Sequence, residues 1–321
     1  MEQRTVGMSD LVVSAVGLGC NNFSRPNSAT ESLEGSVRVI HAAVDAGITF
    51  LDGADIYGGE PGRSEEFMGE ALAGRRDKVV LATKFGNSGR TVPGSEEWGP
   101  KGGRTYIRNA VDASLRRLRT DRIDLLQMHT PDPGTPIGET LSALTELVEE
   151  GKLRHVGHSN FSAEQAQEAD AVARENGFVR FVSAQNGFSL LDRGAERDVL
   201  PTAVGLGLGF FPYFPLANGL LTGKYTRDGG EEGRLRSAAA SVDRLGDVDW
   251  DQLDAYRVLC ADAGVSMLGA TFAWLLSRTG ITSVIAGATR AEQVAQNVEA
   301  GATVLDKATL AAIDTLFAAP R

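Results

Sequence analysis

Short apolar runs alternate along this chain with longer segments whose apolar residues recur at helical spacing. A polar or glycine-rich turn separates each run from the segment that follows it, which is typical of repeated β-strand and α-helix units. The helical spacing gives a segment one apolar stripe that can cover a sheet, as in Ile107, Val111, Leu115 and Leu118. The runs predicted to be strands cover residues 16–19, 48–52, 79–83, 123–128, 155–158, 181–185, 208–212 and 284–286.

Eight such units, with no linker or shift in composition between them, favour one closed barrel over two doubly wound domains. The predicted fold class is therefore α/β, with a (β/α)8 TIM barrel as a single domain over residues 1–321. Residues 4–14 predict an N-terminal β-hairpin that turns at 7–10 and covers the bottom of the barrel. A helix at about 251–263 is extra to the eightfold count and precedes the last helices.

Two connections are longer than usual, and both follow strands, where barrel enzymes carry their functional loops. One runs from Phe85 to Gly103 and the other from Tyr213 to about Asp247, and either of them could cover a ligand.

Three helix starts carry capping signals in the sequence. Thr135 precedes Pro136, which suits the first position of a helix. Ser162 with Gln165, and Thr289 with Glu292, have the spacing of capping boxes.

Composition and charge narrow the range of functions. The chain of 321 residues is 42% hydrophobic and has a net charge of −10, which disfavours nucleic acid and anionic membrane surfaces as partners. With two cysteines it has no disulfide framework and no cysteine-rich zinc site, so we expect a reducing cytoplasmic location and no metal. Residues 199–223 carry no charge, but their prolines and glycines exclude a membrane-spanning helix.

Four polar side chains follow or end consecutive predicted strands, where barrel enzymes place their chemistry. They are Asp52, Tyr57, Lys84 and His129. Each residue type alone is more often structural, but together they make a proton-transfer set. We expect the Lys84 ammonium to lower the pKa of Tyr57 from about 10, which would make the phenol a usable acid. Asp52 would hold Lys84, and His129 would bind a substrate oxygen.

The sequence resembles the aldo-keto reductase family, in its bacterial-type or potassium-channel β-subunit-like branch. The motifs that carry the resemblance lie at residues 16–20, 50–58, 82–84, 125–129, 157–161 and 215–225. The resemblance implies a catalytic tetrad of Asp52, Tyr57, Lys84 and His129, with Tyr57 as the general acid. It also implies transfer of a hydride from a nicotinamide to a carbonyl group.

The resemblance further implies a set of cofactor contacts. Ser159, Asn160 and Gln185 match positions that grip the nicotinamide carboxamide, and Tyr213 matches the aromatic residue that stacks on the ring. Lys224 matches a pyrophosphate contact, and Gln293 and Asn297 match positions around the adenosine. The other positions expected to contact the cofactor are Cys20, Asp52, Pro215, Leu216, Gly219, Gly287, Thr289 and Arg290.

The residues of the last predicted strand and helix also support the binding of a nucleotide cofactor. Residues 285–293 run from a strand into a helix start, where exposed amides and the positive end of the helix favour phosphate. Arg290 in this turn could meet a ribose 2′-phosphate, so NADPH is favoured over NADH.

Several positions depart from the family pattern. Gly53 and Cys20 stand where threonine is common, and Phe214 replaces a small serine. Residues 186–188 lack the usual acidic and tyrosine pair. Gly287 and Ala288 replace a Lys-Ser pair, so the preference for NADPH depends largely on Arg290 and Lys224.

The leading hypothesis is an NADPH-dependent reductase of a small carbonyl compound, an aldehyde or a ketone. Its expected pocket walls are Phe23, Tyr57, Phe85, Trp98 and Tyr213. One alternative is a cofactor-binding regulatory subunit with little turnover, and another is an aldolase that forms a Schiff base on Lys84. The sequence leaves the substrate's identity and the number of subunits open.

Overall fold

An antiparallel hairpin begins the chain in this computed structural model, which describes residues 1–227, 229–230, 246 and 248–318. Strand β1 (Gln3–Thr5) pairs with strand β2 (Val12–Ser14), with Gln3 opposite Ser14. Gly7 in the turn has a φ of +55°, and a Cβ atom there would lie 2.2 Å from the carbonyl oxygen of Gly207. Only glycine can therefore bring the turn this close to the barrel.

Eight parallel strands form the barrel, as predicted. They are β3 (Val16–Gly19), β4 (Phe50–Asp52), β5 (Val80–Phe85), β6 (Ile123–Met128), β7 (Leu153–Ser159), β8 (Ser183–Gly187), β9 (Gly209–Tyr213) and β12 (Val284–Gly287). Their order in the sheet is β12-β3-β4-β5-β6-β7-β8-β9. A parallel bridge between Phe210 and Ile281, just ahead of β12, joins the two edges. The expected (β/α)8 architecture is thus confirmed.

The helices surround the barrel with their apolar stripes turned inward. They are α1 (Leu33–Asp45), α2 (Arg63–Ala71), α3 (Arg104–Leu118), α4 (Ile137–Glu149), α5 (Ala163–Asn176), α6 (Val199–Gly205), α7 (Trp250–Asp262), α8 (Met267–Leu276), α9 (Ala291–Ala300) and α10 (Lys307–Leu316). In α1, for example, Val39, Ile40 and Ala43 are buried. Helix α7 matches the predicted extra helix.

The hairpin closes the amino-terminal end of the barrel, as expected. Its buried side chains Val6, Leu11 and Val13 pack in one cluster with Phe50 and Phe211 from inside the barrel. The backbone N–H of Met8 also donates to the carbonyl oxygen of Gly207, at 2.9 Å. The opposite end, where the strands finish, is therefore the end that can carry a site.

One predicted helix cap is confirmed and two are wrong. Ser162 and Gln165 form a complete capping box at the start of α5. Helix α4 starts one residue later than predicted, with Pro136 at the cap position, because the Thr135 hydroxyl donates to Asp132. Helix α9 has no side-chain cap, since both the amide and the hydroxyl of Thr289 donate to Gln293 and not to Glu292.

The two long connections follow β5 and β9. In the first, the buried Val92 packs on Ala54 and Ile56 of the connection after β4. In the second, strands β10 (Tyr225–Thr226) and β11 (Gly229–Gly230) pair as a short ribbon. Residues 228, 231–245 and 247 of that connection lie outside the described residues.

No single helix in the described part of the chain is long and apolar enough to cross a membrane. Helices α7 and α8 meet the length and composition criteria only as a pair, and they are bent by 89° relative to each other.

Candidate active site

The structure brings together the four polar residues predicted at the strand ends. Asp52 is the last residue of β4, Lys84 is the next to last of β5, and His129 follows β6 directly. Tyr57 lies in the connection after β4. Because β4, β5 and β6 are neighbours in the parallel sheet, their carboxyl ends meet at one edge and converge there.

Lys84 is the centre of this group. Its Nζ atom donates to both carboxylate oxygens of Asp52, at 2.8 and 2.7 Å, and to the carbonyl oxygen of Gly53 at 2.8 Å. The same atom lies 3.3 Å from the hydroxyl oxygen of Tyr57 and 4.9 Å from the centre of its ring. Burial by itself would lower the pKa of Lys84, but the Asp52 carboxylate and the Tyr57 oxygen outweigh it and raise that pKa. Lys84 therefore stays protonated.

The pKa of Tyr57 is raised, which is opposite to the depression that the sequence led us to expect. Burial of the phenol is the largest cause, since a phenolate loses its hydration there. The Lys84 ammonium does act in the expected direction and lowers the pKa, but not enough to offset burial. Tyr57 is thus a protonated phenol at neutral pH, with a cation beside its oxygen.

His129 is buried and neutral. Burial, together with the neighbouring Lys84 charge, lowers its pKa to about 3. Its Nδ1 atom is buried without a hydrogen-bond partner among the described residues. The ring meets the Tyr57 ring edge to face, with centroids 5.9 Å apart. A neutral imidazole carries one N–H group, which can donate to a carbonyl oxygen held between the two rings.

Two glutamines complete the surroundings of Asp52. Gln185 donates from Nε2 to Asp52 Oδ1 at 3.0 Å, and Gln127 donates to the same oxygen at 3.4 Å. Sequence reasoning missed Gln127. It stands two residues before His129 in a mostly apolar strand, and the two-residue period of a strand would have placed both side chains on the same face.

A hydrogen-bonded network lies beside this group, at the carboxyl ends of β7, β8 and β9. Asn160 has a left-handed φ of +61°, and its Nδ2 atom donates to the His129 carbonyl oxygen at 2.8 Å. Its Oδ1 atom accepts from the Tyr213 hydroxyl at 2.9 Å. The Ser159 hydroxyl donates to the carbonyl oxygen of Gln185, also at 2.8 Å. These bonds fix the edge of the Tyr213 ring relative to His129.

The Tyr213 ring presents a surface on which a flat ligand could stack. One side of the half-buried ring packs on Gly187, where a Cβ atom would lie 3.2 Å from Tyr213 Cε2. The Phe214 ring also meets the Tyr213 ring edge to face, with centroids 5.3 Å apart, and a flat ligand could stack on the part of the Tyr213 ring that these contacts leave open. Amide groups of Asn160 and Gln185 lie around it, and such groups pair well with a carboxamide.

The start of α9 offers a second set of groups, suited to phosphate. Its first turn is without a side-chain cap, so its amide groups are available to an anion. Arg290 is exposed at this turn and makes no ion pair with any described residue. Gly287 lies against Asn22, where a Cβ atom would come within 2.7 Å of Asn22 Nδ2. The backbone here can be approached closely, and the groups present fit a phosphate of a nucleotide.

The remaining positions predicted to contact a cofactor differ from one another in burial and in neighbouring groups. Gly219 has a φ of +98°, and a Cβ atom there would lie 2.8 Å from Lys224 Cε. Lys224 Nζ lies 5.0 Å from the centre of the Tyr225 ring. Pro215 and Asn297 are buried, whereas Leu216 and Gln293 are half-buried. Cys20 has no exposed surface, and burial raises the pKa of its thiol.

The residues expected to line a substrate pocket are not equally accessible. Phe23 and Phe85 are buried in the main apolar cluster, at 0% and 1% exposure. Phe85 follows Lys84 on the strand, so their side chains point to opposite faces and Phe85 faces the helices. Trp98 is half-buried and meets Tyr106 edge to face. The structure therefore brings only Trp98 of these three side chains to accessible surface.

Comparison with known proteins agrees with this geometry. A sequence model described as "Aldo/keto reductase family" matches residues 15–318. The chain is 35% identical to the uncharacterized oxidoreductase YrpG of Bacillus subtilis, over 100% of this chain and 97% of that protein. It is 34% identical to an L-glyceraldehyde 3-phosphate reductase of Escherichia coli, over 94% of this chain and 87% of the relative. It is also 32% identical to a probable voltage-gated potassium channel subunit beta of Oryza sativa, over 94% and 91% of the two chains.

Proposed function

This chain belongs to the aldo/keto reductase family of oxidoreductases, and on that premise we propose that it reduces an aldehyde or a ketone to an alcohol with NADPH. The observation that carries the proposal is the triangle of Asp52, Lys84 and Tyr57, in which one buried ammonium touches a carboxylate and a protonated phenol. We further propose that residues 1–321 form a single domain that works in the cytoplasm as an enzyme on small carbonyl compounds.

The proposed roles follow from protonation states. Tyr57 donates its proton to the carbonyl oxygen, and the Lys84 ammonium stabilises the phenolate that is left. Asp52 keeps Lys84 charged and in place. His129, neutral at any physiological pH, donates a hydrogen bond that positions the carbonyl oxygen.

When bound, the reduced nicotinamide supplies the hydride that the carbonyl carbon accepts. Ser159, Asn160 and Gln185 are the residues that would hold its carboxamide, and Tyr213 would support the ring and exclude water. The uncapped start of α9 would bind phosphate near the adenosine end, together with Lys224. Arg290 at this turn favours the 2′-phosphate of NADPH over the plain ribose of NADH.

The decisive test is Tyr57→Phe, which removes the phenolic oxygen and keeps the ring. We expect carbonyl-dependent oxidation of NADPH to fall by a factor of about 10² to 10⁴, because the general acid is lost. NADPH binding, followed by protein fluorescence, should be unchanged. Tyr256→Phe is the matched control, since Tyr256 is a residue of α7 whose hydroxyl bonds to Thr271 of α8. Equal turnover of the wild type and Tyr57→Phe would refute the mechanism.

A second candidate is a cofactor-binding regulatory subunit, which the similarity to the potassium channel subunit beta supports. Negligible turnover over a panel of aldehydes, ketones and quinones, with NADPH still bound, would favour it. An aldolase has less support, because the raised pKa of Lys84 keeps its amine protonated and unable to attack a carbonyl carbon.

A further inference from the structure

Within the part of the chain that the structure describes, two arginines near the connection that carries Tyr57 have no carboxylate partner. Most arginines of this acidic chain pair with aspartate or glutamate, as Arg117 does with Glu65 at 2.7 Å. Among the described residues, neither Arg25 nor Arg90 lies within ion-pair distance of an acidic group. Because the chain has a net charge of −10, carboxylates are abundant, and two neighbouring arginines without such a partner call for a physical explanation.

Arg25 is tied to the connection that carries Tyr57. It lies in the loop after β3, next to Ser24, whose backbone is left-handed with a φ of +58°. The Ser24 carbonyl oxygen accepts from the backbone N–H of Gly59 at 2.9 Å, two residues beyond Tyr57. The Arg25 side chain is half-buried, and no described group accepts a hydrogen bond from its guanidinium.

Arg90 contacts the same connection from a different loop. It lies in the loop after β5, and its Nη1 atom donates to the carbonyl oxygen of Ile56 at 2.9 Å. Val92 of the same loop is buried against Ile56. The Nζ atom of Lys101 donates to the Arg90 carbonyl oxygen at 2.9 Å, which fixes the loop and adds a third positive charge. The connection that carries Tyr57 is therefore contacted by the Arg90 side chain and by the backbone of Ser24, next to Arg25.

The two guanidiniums are close enough to repel each other. The pKa of Arg25 is lowered, first by burial and then by the charge of Arg90. Like charges held together in a partly buried place are unfavourable unless an anion joins them. A planar guanidinium offers paired donors that match the oxygens of a phosphate or a carboxylate.

We propose that Arg25 and Arg90 form an anion subsite beside Tyr57, which binds the phosphate or carboxylate of an anionic aldehyde substrate. This inference rests on the proposed carbonyl reduction and names its substrate class. The subsite differs from the groups at α9 in its contacts, because Arg90 donates to the connection that carries Tyr57, and Ser24, next to Arg25, accepts from that connection. It would hold the charged end of the substrate while the carbonyl group lies at Tyr57 and His129.

The test compares charged and neutral aldehydes on the NADPH-loaded enzyme. The pairs are glyceraldehyde 3-phosphate with glyceraldehyde, and 4-carboxybenzaldehyde with benzaldehyde. In Arg25→Met/Arg90→Met, the ratio of kcat/KM for the charged to the neutral member should fall roughly 100-fold, about tenfold for each charge-assisted interaction, mostly through KM. Arg25→Lys and Arg90→Lys should each restore part of the ratio. The phosphate and carboxylate pairs show which anion the subsite prefers.

Arg116→Met is the matched control, because Arg116, like Arg90, is exposed and forms no ion pair with a described residue, but it lies near the end of α3, away from the connection that carries Tyr57. It should leave the ratio unchanged. A ratio that stays the same in Arg25→Met/Arg90→Met would overturn the subsite and leave carbonyl reduction intact. So would an equal loss for the charged and the neutral aldehyde.

A binding measurement separates this inference from the proposed function. Glycerol 3-phosphate has the charged end but no carbonyl group, so calorimetry on the NADP⁺-saturated enzyme detects the subsite without turnover. The wild type should bind it, and glycerol should not bind. If no aldehyde is reduced but glycerol 3-phosphate binds through Arg25 and Arg90, carbonyl reduction fails and the subsite stands. If glycerol 3-phosphate does not bind, the subsite fails.

Discussion

Lys84 and Asp52 form a two-point ion pair, in which one Nζ atom lies 2.8 and 2.7 Å from the two carboxylate oxygens. The side chains are 0% and 5% exposed, so each charge is without water and depends on the other. A buried charge whose partner is removed is strongly destabilising. The proposed proton donor, Tyr57, therefore contacts an ion pair on which the stability of the fold also depends.

Removing both members of this pair should cost less stability than the sum of the two single losses. Asp52→Asn and Lys84→Met should each lower the free energy of unfolding by about 3–5 kcal/mol, because each leaves one buried charge unpaired. Asp52→Asn/Lys84→Met should lose less than the sum of the two. Urea unfolding of the four proteins in a double-mutant cycle measures this, and additive losses would contradict the coupling.

The rate of carbonyl reduction should be nearly flat across neutral pH. His129 is neutral above its pKa of about 3, and Tyr57 keeps its proton beyond its ordinary value of 10. Reduction should therefore decline only above about pH 10, as the phenol ionises, whereas alcohol oxidation should rise towards that pH. Steady-state rates in both directions from about pH 5 upwards test this. An inflection near pH 6.5 that disappears in His129→Asn would show a titrating histidine.

Asp55 should make the protein less stable as the pH rises. It is 1% exposed, and burial and the nearby Glu65 raise its pKa from 3.8 to about 8, against the opposing charges of Arg117 and Lys101. The unfolded chain releases this proton near pH 4 and the folded chain only near pH 8. Stability is therefore lost between these values, by at most about 1.4 kcal/mol per pH unit.

Asp55→Asn removes this ionisation at nearly constant volume. The variant should gain more in Tm over the wild type at pH 8 than at pH 5, as measured by differential scanning calorimetry. Asp121→Asn is the control, because the Asp121 side chain is 88% exposed. A gain that is the same at both pH values would show that Asp55 is already ionised in the folded protein.

His158 should be replaceable with a gain in stability. Neither ring nitrogen has a hydrogen-bond partner among the described residues, and the ring lies 4.6 Å from that of Phe161. Burial lowers its pKa to about 3. His158→Leu should raise the free energy of unfolding by about 1–3 kcal/mol, because two buried polar atoms without partners are removed.

His41→Leu is the contrasting variant. Chemical denaturation measures the free energy of unfolding of both His158→Leu and His41→Leu. His41 Nε2 does have a partner, the carbonyl oxygen of Ala71 at 2.9 Å. That substitution should therefore lower stability. A loss of stability in His158→Leu would contradict this prediction.

The pattern of apolar residues was sufficient to predict the barrel. Strands that are covered on both faces consist of continuous apolar runs, and such runs can be recognised in the sequence. The strand predicted at 48–52 begins at Phe50 in the structure, and the one predicted at 79–83 continues to Phe85. Such differences arise at strand ends, where pairing with a neighbour decides the last residue and the chain's own pattern does not.

The sequence was sufficient to predict which residues form the candidate site, but not the pKa shifts of those residues. Position at a strand end brings Asp52, Lys84 and His129 together, and sequence order contains that information. The direction of the Tyr57 pKa shift depends on how much water reaches the phenol, which only the folded chain determines. Asp55 was missed for the same reason, since its burial and its closeness to Glu65 are tertiary properties.

The hairpin and the closure of the barrel join residues that are far apart along the chain. Arg4 Nη1 donates to the carbonyl oxygens of Leu276 and Ile281, both at 3.0 Å, and β3 pairs with β12. During synthesis, the ribosome adds the partners of Arg4 to the chain more than 250 residues after Arg4 itself. Until then the apolar side chains of the hairpin lack their final cover, so completion of the ring is a late event in biogenesis, and the incomplete barrel before it is prone to aggregation.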